Sequence, residues 1–114
     1  MNNVVGWSAW LAYFANDQSA DFFATAIEQT SELIVPTLSL YEVFKRILQQ
    51  RGEGAALQVV ALMRQGRIVE LSSSIALTAA RISHESKLPM VDSVILATVR
   101  EHDAILWTQD ADFE

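Results

Sequence analysis

The chain has 114 residues, 51% of them hydrophobic, with a formal net charge of -6 and no cysteine. That length makes one domain over residues 1–114, able to bury roughly 65% of its unfolded surface, and the lack of cysteine excludes a disulfide framework or a thiolate metal site. The acidic balance excludes a nucleic-acid binder that relies on a general basic surplus. No apolar run approaches the ~20 residues of a membrane span and no basic region precedes the first apolar residues, so a cytoplasmic setting is expected.

Asn3-Val4-Val5 is a brief apolar run broken by Gly6, and Ser8 to Phe14 continues as a helix with a bulky face. Asn16-Asp17 reads as a break and cap, after which Phe22, Phe23, Ala26 and Ile27 mark the apolar stripe of a second helix. Leu33-Ile34-Val35 is the second strand, closed by Pro36. Thr37 or Ser39 is expected to cap the next helix, with Leu40, Val43, Phe44, Ile47 and Leu48 on one face and Gly52 at its end. Ala55 to Met63 is a further apolar helix that stops near Gly66. Ile68 to Leu71 is the third strand, and the serines from Ser72 to Ser74 cap a helix carrying Ile75, Leu77, Ala80 and Ile82. Pro89 suits the start of the last helix, in which Val91, Val94, Ile95 and Val99 repeat at helical spacing. Ala104 to Trp107 is a short apolar run of strand type. Strands alternating with helices or helix pairs predict an α/β fold, a three-layer α/β/α sandwich around a parallel sheet of about four strands. No repeat, linker or low-complexity tract interrupts it.

In a parallel sheet the connecting helices run opposite to the strands, so helix N-termini gather at the edge where strands end. Asp92, in the first turn of the last helix, should therefore meet Asp110, just past the last strand, although they are eighteen positions apart. Glu42 lies about one and a half turns into its helix, roughly 8 Å from the same edge. Each acid has an ordinary explanation. Ser39-Leu-Tyr-Glu42 matches a capping box, Asp92 complements a helix dipole, and Asp110 and Asp112 suit a turn. Together they would repel unless a cation bound. Carboxylate oxygens suit Mg²⁺ or Mn²⁺, ions that activate water for phosphodiester hydrolysis.

Other candidates carry less. His84 and His102 sit in polar helix ends without a partner at ligand spacing and read as solvated surface. Ser8 lacks the His and Asp of a triad, and Gly52-Glu53-Gly54 lacks the Lys-Ser/Thr of a phosphate loop. Trp7, Trp10, Tyr13 and Phe14 read mainly as helix core, though an exposed ring would stack on a base.

Four stretches, Val4 to Leu11, Val35 to Val43, Leu88 to Thr98 and Leu106 to Phe113, resemble the PIN domain, specifically VapC-type toxins, over almost the whole chain. The resemblance implies a Mg²⁺-dependent (or Mn²⁺-dependent) endoribonuclease, the toxin of a bacterial toxin-antitoxin pair, homodimeric and silenced by an antitoxin. It carries the family's acids onto Glu42, Asp92 and Asp110, with Asp112 a secondary catalytic acid, and its supporting hydroxyls onto Ser8 and Thr108. Two departures stand out. Where the family has an aspartate after the first strand, usually followed by Ser or Thr, this chain has Gly6 and Trp7, which should weaken metal binding and misplace the attacking water. The family's last C-terminal strand, beyond the Asp-x-Asp-Phe stretch, is expected to be lacking. The implied activity is RNA cleavage weakened by Gly6, with substrate approaching past Lys45 and Arg46. The alternative is a catalytically silent module that keeps the fold and the antitoxin surface. An apolar surplus at Leu57, Val60, Leu62 and Met63 is expected to need a partner.

Overall fold

The computed structural model describes residues 1–109. Strand β1 (Asn3–Val5) leads into helices α1 (Trp7–Phe14) and α2 (Ala20–Glu28), and a 3₁₀ turn (Thr30–Glu32) enters β2 (Leu33–Pro36). Helices α3 (Thr37–Arg51) and α4 (Glu53–Met63) precede β3 (Arg67–Val69), and α5 (Ser73–Ser86) and α6 (Met90–Glu101) precede β4 (Ile105–Trp107).

The four strands form one parallel sheet in the order β3-β2-β1-β4. In β1 and β2 every residue is buried, as central strands covered on both faces must be. The period-2 alternation of a strand divides them between two cores. Val5, Leu33 and Val35 join Trp10, Phe23, Val43 and Met63 on one side, packed with α1 to α4. Val4 and Ile34 join Ile95 of α6 on the other, and α5 packs against α6 through Ile75, Ala79 and Ile82. The expected three-layer α/β/α architecture with four parallel strands is therefore the observed one. The expectation of a missing last strand falls beyond Gln109, outside the described residues.

Local expectations mostly hold, with instructive exceptions. Gly52 ends α3 at φ 86° and ψ 179°, a conformation essentially reserved for glycine, and so turns the chain directly into α4. Ser72 caps α5 by accepting the Ile75 N–H at 3.1 Å. Helix α3, by contrast, is capped by neither Thr37 nor Ser39. Its N-cap is Pro36 and no side chain bonds there, because the chain becomes helical immediately after the strand and both residues already lie inside the first turn. Leu77 and Phe22, expected on apolar stripes, are 64% and 62% exposed. Ala79 takes the inward place on α5, and on α2 Phe23 turns inward while Phe22 lies edge-on to it and against Trp107. Of the expected apolar surplus, Met63 is fully buried while Leu57 and Leu62 remain about half exposed. No described helix is long and apolar enough to cross a membrane.

Candidate functional site

The C-terminal ends of the strands bring the site together. Gly6 follows β1 directly, and its N–H donates to the Trp107 carbonyl at the end of β4, 2.9 Å away. With φ -63° and ψ 154° its backbone is ordinary extended chain. A side chain begun there would lie 3.3 Å from Thr108 Oγ1, so the position expected to hold an aspartate and the Thr108 hydroxyl are immediate neighbours.

Asp92 stands in the first turn of α6, whose N-terminus faces this edge because the helix runs antiparallel to the strands it covers. It is 6% exposed, and its Oδ1 accepts the indole N–H of Trp7 at 3.0 Å. That bond joins the residue after β1 to one 85 positions later and fixes Asp92 beside Gly6. The Trp7 side chain is thus half-buried at the site, whereas Trp10 is the true core ring, 1% exposed and stacked on Phe14.

Glu42, also 6% exposed, lies in the second turn of α3. It does not return to a capping position. Its Oε2 instead accepts the Arg46 Nε–H at 2.7 Å and faces the Lys45 ammonium at 3.6 Å. Arg46, one turn further along the same face, places its guanidinium carbon 4.9 Å from the centre of the Trp7 ring. Lys45 similarly lies over Tyr41, at 5.1 Å. One continuous path results: Glu42 to Arg46, Arg46 over Trp7, and Trp7 to Asp92. Ser39, one turn before Glu42, is fully buried with no partner for its hydroxyl among the described residues.

Of the site residues expected from sequence, Gly6, Glu42, Asp92 and Thr108 gather around this edge. Ser8 lies in the first turn of α1, half-buried. Asp110 and Asp112 lie outside the described residues, and among the described residues no three metal-ligating side chains come together. The carboxylates present nevertheless suit a hard divalent cation. Glu42 and Asp92 offer the carboxylate oxygens that such an ion takes, although Glu42 already has Arg46 and Lys45 as positive partners. Sequence reasoning missed the bond from Trp7, read as mostly core, to Asp92, and the pairing of Arg46 and Lys45, expected along the path of approaching RNA, with Glu42. The i,i+4 spacing of Glu42 and Arg46 was the available signal for one of them. His102, expected to be solvated, is half-buried with Nε2 enclosed and unpartnered among the described residues, at the opposite end of α6 from Asp92.

A family model for the PIN domain matches residues 7–114. No curated protein matches the chain. Among solved structures, a toxin-antitoxin complex from Klebsiella pneumoniae superposes with a TM-score of 0.80 at 21% identity, covering 98% of this chain and 90% of the other. VapC20 of Mycobacterium tuberculosis, a Sarcin-Ricin loop cleaving toxin, matches with a TM-score of 0.80 at 18% identity, covering 98% and 92%. A DNA-bound VapBC from Salmonella typhimurium matches with a TM-score of 0.78 at 12% identity, covering 99% and 90%. At these identities the likeness is one of fold.

Proposed function

The chain belongs to the PIN domain family, and from that premise we propose that it is a VapC-like, Mg²⁺-dependent (or Mn²⁺-dependent) endoribonuclease weakened by Gly6. The observation that carries this reading is the linkage of two nearly buried carboxylates at the strands' C-terminal edge, Asp92 held by the Trp7 N–H and Glu42 reaching the same ring through Arg46. Open α/β sheets place their sites there.

Glu42, Asp92 and Asp110 would hold the ion, which when bound supplies Lewis-acid stabilisation and a water acidified enough to attack a phosphodiester. The chain's own residues do the rest. The Trp7 N–H holds the Asp92 carboxylate in one orientation. The enclosing core excludes water from the inner side of both acids, which strengthens their interaction with charge at the edge. Thr108 supplies a hydroxyl next to the place that Gly6 leaves without a side chain.

A second reading, a silent PIN-fold module that retains antitoxin binding, is favoured by Gly6 and by the cations already on Glu42. In either reading the partner is a small antitoxin, with self-association alongside. The open apolar groove between α3 and α4, lined by Leu40, Tyr41, Phe44, Leu48 and Val60, supports a covered face. The absence of cysteine accords with a cytoplasmic protein.

The deciding experiment is cleavage of a mixed RNA pool by the purified chain with Mg²⁺, with excess chelator, and after Asp92→Asn. Chelation should abolish cleavage, and Asp92→Asn should reduce it by about a hundredfold, at the upper end of what perturbing a metal site does. Undiminished cleavage by the Asp92→Asn chain would remove the assignment. A chain that cleaves nothing yet binds the product of the adjacent gene is the silent module.

A further inference from the structure

We propose that Arg46 is an internal counter-ion that competes with the divalent cation for Glu42 and is held in place by Trp7. The inference rests on the metal-site reading above and adds a regulator to it. A carboxylate as buried as Glu42 needs positive charge beside it, and Arg46 supplies that charge from within the chain. The 2.7 Å contact has the length of a charge-assisted hydrogen bond. Trp7 is the seat. Its ring face carries the guanidinium and its N–H holds Asp92, so one side chain meets the cation with its negative face and the anion with its positive edge.

Charge decides the consequence. Among the described residues Glu42, a single carboxylate, already faces two cations, Arg46 and Lys45, and Gly6 brings no carboxylate of its own. A divalent cation arriving at Glu42 would meet a guanidinium already on Oε2, and repulsion between the two positive charges weakens its binding for as long as Arg46 stays there. Its side chain is 43% exposed, so it can swing into water without opening the core. The arginine thus keeps Glu42 satisfied in the absence of metal and raises the metal concentration needed to fill the site.

The test is calorimetric titration with Mn²⁺ at neutral pH on the native chain, Arg46→Gln, Glu42→Gln, the double variant and Arg46→Lys, with RNA cleavage measured in parallel. Arg46→Gln should bind Mn²⁺ about three- to tenfold more tightly, the scale of a partly exposed, charge-assisted pair. In the Glu42→Gln background the same change should give no gain. Arg46→Lys, which keeps the charge but loses the fork and the Nε bond, should tighten binding by less, and it serves if Arg46→Gln does not fold. Tightening that also appears without Glu42, or equal affinity in the native chain and the foldable arginine variant, overturns the proposal. If neither of those chains binds Mn²⁺, it is overturned as well. Tighter metal binding without any cleavage sinks the nuclease reading and leaves the counter-ion. Metal-dependent cleavage with unchanged affinity does the reverse.

Discussion

At Gly6 the backbone already accepts an L side chain, since φ -63° carries no strain for aspartate. The steric resistance among the described residues is small, because a Cβ would stand 3.3 Å from Thr108 Oγ1 and would push it by a few tenths of an ångström, while repulsion from Asp92 is relieved once a cation binds. Gly6→Asp should therefore fold and add a carboxylate beside Asp92. Mg²⁺-dependent RNA cleavage is expected to rise by about ten- to hundredfold, the range by which metal-site groups alter affinity or activity. Adding Asp92→Asn to that variant should return cleavage to a low level. A folded Gly6→Asp chain no more active than the native one would mean that Gly6 does not stand in for a metal ligand. The position is informative for a second reason. Its neighbour Trp7 is bulkier than a Ser or Thr, and it holds Asp92 through its indole N–H while its ring carries the Arg46 that bonds Glu42.

Between elements, the junction of α3 and α4 isolates what glycine does to stability. Gly52 has φ 86°, while Gly54 lies in the first turn of α4, and a Cβ at either would meet nothing within 4 Å. Gly52→Ala should therefore destabilise by about 1–3 kcal/mol through backbone strain alone. Gly54→Ala should stabilise by about 0.4–1 kcal/mol through helix propensity and a less flexible unfolded chain. Urea unfolding midpoints of the two variants check the pair, and shifts of the same sign would refute the conformational account. The start of α3 shows how an element can change a residue's role. Because the helix begins at Thr37 behind Pro36, Ser39 falls inside the first turn and Glu42 is released from any capping box. Glu42 then meets Arg46.

Across the molecule, charge sets how RNA must be met. The net charge is -6, and two basic residues near the site, Lys45 and Arg46, are spent on Glu42. Few cations remain there to neutralise phosphates, so binding of a non-cleaved RNA should depend weakly on salt. A slope of log affinity against log salt of about -2 or shallower is expected, equivalent to two or three phosphate contacts. A steep slope would reveal a basic surface formed elsewhere.

Much of this architecture was legible along the chain because its causes are local or periodic. The apolar runs at Val4-Val5 and Leu33 to Val35, interleaved with helical stripes, determine a parallel sheet covered on both faces. Gly52 and Ser72 mark helix ends through their own backbone and side-chain chemistry. Strand and helix direction alone also put Asp92 at the edge where the strands end, while its expected meeting with Asp110 lies outside the described residues. Tertiary structure decided the partners. Whether Phe22 or Leu77 is covered depends on which neighbouring helix reaches it, and Arg46, though partly exposed, lies against Glu42 with Trp7 beneath it. The Trp7 to Asp92 bond spans 85 positions. Sequence periodicity specifies which face of an element is turned inward, but only packing of the assembled layers specifies which side chain it will find there.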